Sequence, residues 1–162
     1  MKIAAIIILC LIAAALVQRP QPIQVETLIE ASAAEVWAVL SDNENWHTWN
    51  PTMIESIGKL ETGQRLRNTM ALDDGQQFTF QPKVLHVAEN QGFSWIGRLF
   101  LPGIFDGKHE FRLEALGPNR VKLIEKETFR GLLSILLLKQ IGEQTLQAWQ
   151  AAHQALKARV ER

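Results

Sequence analysis

Between Phe80 and Phe129 large apolar residues recur on one parity of the chain, at Trp95, Leu99, Phe111, Leu113, Leu123 and Phe129. An alternating strand sends residues i, i+2 and i+4 to the same face, so this stretch predicts a row of half-buried strands. His109, Glu125 and Glu127 fall on that same parity. An unpaired buried charge costs several kcal/mol or shifts its pKa until it is neutral. A face that is only core has no use for such groups, whereas a lined cavity does.

The same pattern sets the remaining elements. Ile23, Val25, Thr27 and Ile29 alternate as a first strand, and Ser32 with Glu35 three residues later forms a capping-box signature for a helix from Ala33 to about Leu40. The segment 42–51 is rich in breakers and ends that helix. Strands are predicted over 53–59, 64–72, 77–88, 93–100, 108–115 and 120–129. With the first strand they form one antiparallel sheet of about seven strands. Asp73-Asp74-Gly75 and Leu116-Gly117-Pro118-Asn119 read as hairpin turns. From 132 to about 160, Leu138, Ile141, Thr145, Trp149, Ala152, His153, Leu156 and Val160 step by three or four along one helical face. The first two turns, 132–138, are apolar nearly all round, so they need cover on several sides or must face a lipid-like ligand or a membrane. Gly142 weakens that helix by about 1 kcal/mol relative to Ala and marks a bend or a close approach to the sheet.

Composition narrows the possibilities. A chain of 162 residues suits one domain, and 17 basic against 17 acidic residues leave no net charge and no basic stripe for nucleic acid. Five Trp and seven Phe without any Tyr favour apolar lining over hydroxyl-mediated recognition. The single cysteine, Cys10, rules out an intrachain disulfide. It lies in the apolar run Ile3–Val17, which follows Lys2 and would span roughly 22 Å as a helix, short of a roughly 30 Å hydrocarbon core. Residues 1–19 are therefore read as a signal peptide, with Ala13-Ala14-Ala15 as the small-residue cleavage region, or as an uncleaved membrane anchor; a buried N-terminal helix is the alternative. Leu9 before Cys10 argues against a lipoprotein. Lys2 on the near side favours export of the domain, periplasmic or otherwise extracytoplasmic, or its tethering through residues 3–17. Arg19-Pro20-Gln21-Pro22 is a stiff linker, and the folded domain is 23–162.

Strand, short helix, long antiparallel meander and long C-terminal helix is the order of the helix-grip fold, an α+β arrangement in which a curved sheet wraps the last helix. At residue level the chain resembles the SRPBCC or START-like superfamily of polyketide cyclase/dehydrase and lipid-transport type domains over about residues 24–160. The resemblance is carried by 33–40 (AAEVWAVL), Trp49-Asn50-Pro51, 95–99 (WIGRL), 101–114 (LPGIFDGKHEFRLE) and 127–133 (ETFRGLL). It implies an apolar cavity between sheet and C-terminal helix that holds a lipid, polyketide or similar hydrophobic molecule. One fold hosts many functions, so activity does not follow from it.

His109 and Glu127, on consecutive strands and in phase with inward apolar residues, are candidates for a mutually satisfied pair. That pair closes the sheet as a structural contact, orients a ligand head group, or acts in acid–base catalysis; spacing alone does not choose. Glu125 shares their parity, but a bulge or strand end would turn it outward. Trp49, Phe80, Trp95, Leu99 and Phe111 are either plain core or cavity walls, and Phe105, Phe129, Leu133 and Leu136 join them as ligand-binding candidates. The apolar loop 100–105 reads as a gate over a cavity mouth or as a tucked core loop. The four histidines lack metal-ligand spacing, no Gly-x-Ser-x-Gly elbow or phosphate cradle occurs, and neither metal nor cofactor is expected. The leading expectation is non-catalytic binding or transport of a hydrophobic small molecule. The alternatives are a cyclase, dehydratase or hydrolase using His109 and Glu127, or a partner- or membrane-docking stress protein with a filled interior. Oligomeric state is not legible.

Overall fold

The structure is a computed structural model that describes residues 21–72, 75–99, 101–131 and 133–162. The proposed leader or anchor, the tip of the 73–74 turn, Phe100 of the apolar loop and Leu132 lie outside the described residues, as does the side chain of Ile141.

Chain order is β1 (Ile23–Ile29), α1 (Ala33–Leu40), a 3-10 helix (Asn43–Thr48), β2 (Met53–Ile57), β3 (Arg67–Ala71), β4 (Gln77–Phe80), β5 (Lys83–Ala88), β6 (Gly92–Leu99), β7 (Phe105–Gly117), β8 (Arg120–Arg130) and α2 (Ser134–Val160). Five antiparallel strands run β1-β8-β7-β6-β5 and three more run β2-β3-β4. The two sheets meet where Arg65 bridges Lys83, with Leu66 N donating to Pro82 O at 3.0 Å and Val84 N donating to Gln64 O at 2.8 Å. α2 lies along β1: Lys157 Nζ donates to Leu28 O at 2.6 Å, and Glu161 Oε1 accepts from Glu30 N at 2.7 Å. This is the helix-grip arrangement.

The local signals act as read at several points. Ser32 Oγ accepts from Glu35 N while Glu35 Oε2 accepts from Ser32 N, closing the capping box of α1. β1 buries Ile23, Val25 and Ile29. At Gly142 a β-carbon would be in ordinary contact with Ile23 Cδ1, at 4.0 Å, so the helix passes beside β1 there without the tight approach expected of a glycine. Two boundaries differ from the sequence reading. The predicted strand 77–88 is two strands, because Pro82 has no N–H for a ladder and the chain changes partner there, from β3 to β6. That break yields eight strands in two sheets rather than about seven in one. β7 also starts three residues earlier than predicted, at Phe105, which lies opposite Leu99.

The core has two parts. Around Ile29, Val36, Leu40, Trp46, Phe93, Trp95, Leu123 and Leu156, the larger part fills the end near α1. The smaller contains Ile23, Val25, Phe129 and Trp149, with Phe105, Leu138 and Leu146 packed against it. Among the described residues no helix is long and apolar enough to cross a membrane.

Candidate functional site

Where the two core parts meet, register places polar groups on the inner face of the five-stranded sheet. His109 on β7 stands opposite Glu127 on β8 and Trp95 on β6, and Phe111 stands opposite Glu125 and Phe93. From α2, Trp149 and His153, one turn apart, come down onto the same spot. The His109 ring centre lies 4.9 Å from that of Trp95, 4.7 Å from Phe111 and 4.8 Å from Trp149, so three aromatic rings exclude water from it.

Two histidines share one carboxylate. His109 Nε2 lies 2.9 Å from Glu125 Oε1, and His153 Nε2 lies 3.0 Å from Glu125 Oε2. Both contacts are short but run off the line of the ring N–H, so they are close polar contacts more than aligned hydrogen bonds. His153 Nδ1 is 2.9 Å from Thr27 Oγ1; with the hydrogen of His153 on Nε2, the Thr27 hydroxyl donates to Nδ1. On its other side His109 Nδ1 is 3.6 Å from Glu127 Oε2, a looser contact. Side-chain exposure is 3% at His153, 6% at Glu125, 9% at His109 and 19% at Glu127, so the network is closed at His153 and most open at Glu127.

The charges follow from these contacts. Burial opposes a charged His109, but the carboxylates of Glu125 and Glu127 outweigh it and raise the imidazole to about 9. Burial likewise opposes a charged Glu125, and the two histidines outweigh it and hold its carboxyl below the usual range. At neutral pH the centre of the network is therefore an imidazolium bound to a carboxylate.

The sequence-predicted site residues divide into three groups. Trp95, His109, Phe111 and Glu127 come together as described. Leu99 and Phe105 face each other two steps beyond, past Gly97 and Gly107, where the Phe105 ring stacks on buried Phe129 with centres 5.4 Å apart, and Leu133 N donates to Ile104 O at 2.9 Å. Trp49 packs against the larger core part, well along the chain from β7, and Phe80 sits half-buried in the three-stranded sheet, its ring stacked on Phe78 at 5.7 Å. Leu136 is 61% exposed and Leu101 of the apolar loop 71%. Glu125 corrects the sequence reading: it points inward, buried, and not Glu127 but Glu125 is the closer partner of His109. The sequence pattern assigns His153 and Thr27 only to a helical face and a strand. The signal for Glu125 was its parity with Leu123 and His109; that for His153 was its place one turn after Trp149. Among the described residues no group of three His, Cys, Asp or Glu side chains is arranged to hold a metal ion.

A family model described as polyketide cyclase / dehydrase and lipid transport matches residues 21–161. Among solved structures, similarity extends to the Zhui aromatase/cyclase from Streptomyces sp. R1128 (TM-score 0.69, 16% identity, 88% of this chain and 94% of that one). It extends also to a START superfamily protein from Mycobacterium smegmatis (TM-score 0.66, 22% identity, 88% and 98%) and to a protein from Arthrobacter aurescens (TM-score 0.68, 15% identity, 90% and 91%). At these identities the likeness is one of fold. No curated protein matches the chain.

Proposed function

Because the chain belongs to the polyketide cyclase / dehydrase and lipid transport family, within a superfamily that often binds hydrophobic ligands, we propose that it takes up an apolar small molecule between the sheet and α2 and moves a proton at that molecule's polar end. The observation that carries this reading is the buried His153–Glu125–His109–Glu127 chain, closed at one end and open at the other. Uptake alone does not need it. At about 0.8 kcal/mol per CH₂, a ten-carbon body gains roughly 8 kcal/mol before ordering costs, while desolvating each ion of a buried pair costs several kcal/mol.

The open end suits acid–base work. The 3.6 Å between His109 Nδ1 and Glu127 Oε2 exceeds the roughly 2.7–2.9 Å of a charge-assisted hydrogen bond, so a ligand oxygen can take over either partner. Glu127 as base removes a proton from the carbon next to a ligand carbonyl, and the C–H electron pair becomes the enol double bond. The His109 imidazolium gives its proton to the carbonyl oxygen, which leaves a neutral enol, a protonated Glu127 and a neutral His109. Such an enol is the reacting species of cyclisations and dehydrations. Glu125, His153 and Thr27 act as positioning residues that hold the His109 ring from behind. Trp95, Leu99, Phe105, Phe129 and Leu133 are the walls in this reading, with the 101–104 loop over the mouth.

Carriage without chemistry is the second reading, favoured by one fact: both His109 nitrogens already face carboxylates within the protein. One experiment separates the two. Native mass spectrometry of protein purified from its own host identifies a co-purified apolar molecule, and that molecule and a poly-β-keto thioester are then assayed for turnover. Turnover that falls about 10²–10⁴-fold in Glu127→Gln while affinity stays within a few-fold is the expected result. Binding with no turnover above that of the variant leaves a carrier. A protein that neither carries nor binds an apolar molecule sinks both.

A further inference from the structure

Gly97 and Gly107 face each other across β6 and β7 on the inner face, one step from Trp95 and His109 and one step from Leu99 and Phe105. A glycine inside a strand weakens it, so it needs a reason such as positive φ, a bulge, a tight bend or the close approach of another group. Gly97 and Gly107 have no positive φ, and the pairing of β6 with β7 runs without a register shift. At Gly107 the reason is visible: a β-carbon would collide with Glu127 Oε1 and crowd the Phe129 ring. At Gly97 no described group comes that close. Among the described residues a β-carbon there would meet only Gly107 O, at 4.0 Å.

Resting on the binding reading above, we propose that Gly97 is the floor of the ligand seat and the residue that sets its size. The seat lies between the Trp95–His109 row and the Leu99–Phe105 row, roughly 13 Å apart along the strand at about 3.3 Å per residue. Its floor is flat backbone, and the stacking of Phe105 on Phe129 holds that ring on the β8 side of the seat. Gly97 is half-buried on a face otherwise lined by large side chains, and a position without a side chain there leaves room for another molecule. The geometry fits a flat ring lying on Gly97 with a hydroxyl or carbonyl directed at His109 and Glu127. A larger side chain at position 97 fills the place of that ring.

The test compares wild type, Gly97→Ala and Gly97→Val, each by thermal unfolding and by fluorescence titration with 2-naphthol. Val suits a strand and Ala adds only an atom in ordinary contact, so the expected melting temperatures equal or exceed that of wild type. Affinity for 2-naphthol falls at least about 10-fold in Gly97→Val, some 1.4 kcal/mol, and less in Gly97→Ala. A melting temperature about 4 °C or more lower in both variants means that the position is packed or bends the sheet, and overturns the proposal. Unchanged affinity in Gly97→Val overturns the seat while leaving the binding reading intact. A wild-type protein that carries a co-purified molecule yet ignores 2-naphthol overturns the ring class, and one that does neither overturns the reading beneath it.

Discussion

A carboxylate has two oxygens, and Glu125 gives one to each of two histidines. Breaking such a buried arrangement from one side leaves the other side uncompensated, which typically costs about 3–5 kcal/mol. Glu125→Gln is expected to lose stability of that order in urea unfolding at pH 6, more than a surface Glu of the same strand would. The pH dependence follows from the direction of the His109 shift. Its folded pKa, about 9, lies above the usual 6.5, so the native state keeps a proton that the unfolded chain has lost. The stabilisation is complete below pH 6.5 and is lost as pH rises to 9, by a few kcal/mol at about 1.4 kcal/mol per unit. Glu125, shifted downward, contributes above its usual range and loses that contribution as pH falls through it. Urea titrations of wild type from pH 6 to 9 should show this decline and those of Glu125→Gln a smaller one; parallel curves would mean that His109 does not hold the charge. Parity alone placed His109, Glu125 and Glu127 on one face. Which carboxylate binds the ring depends on where α2 sets His153, a separation of 28 residues from Glu125 that no local pattern expresses.

At the scale of elements the strongest local signals are the ones whose partners are close in sequence. Ser32 and Glu35 satisfy each other within one turn, so the start of α1 was readable, and Ser32→Ala is expected to cost about 1 kcal/mol, seen as a lower unfolding midpoint with unchanged fold by circular dichroism. The break at Gln81-Pro82 is masked in the pattern, although proline inside a run is a breaker signal, because 77–88 alternates well enough to hide a change of partner. Gly131 shows the opposite case, a local requirement with a distant cause. Its φ is +113° and a β-carbon would strike Ile104 O, so the turn into α2 is pressed against the loop before β7.

For the molecule as a whole, β1 starts opposite Glu127, at the end of the sheet where β7 begins and β8 turns into α2. The chain before Ile23 therefore enters at the same end as exposed Leu101 and Leu136. We propose that residues 1–19 export or tether the domain. Fractionation of the full-length protein should recover it outside the cytoplasm or in membranes, and removal of residues 1–19 should return it to the cytosol; a full-length protein found soluble in the cytosol removes the export reading.

Alternation, caps and turn residues were enough to derive strands, the gripping helix and the face on which ionisable groups fall, because each of these depends on neighbours a few residues away. The three-dimensional arrangement alone decided that Glu125 sits between His109 and His153, that Glu127 is left at the open end, and that Gly97 faces Gly107 across β6 and β7. Those outcomes depend on register between strands and on the seating of α2. There, tenths of an ångström separate an ion pair from a loose contact, and residues far apart in the chain must be brought together before their chemistry exists.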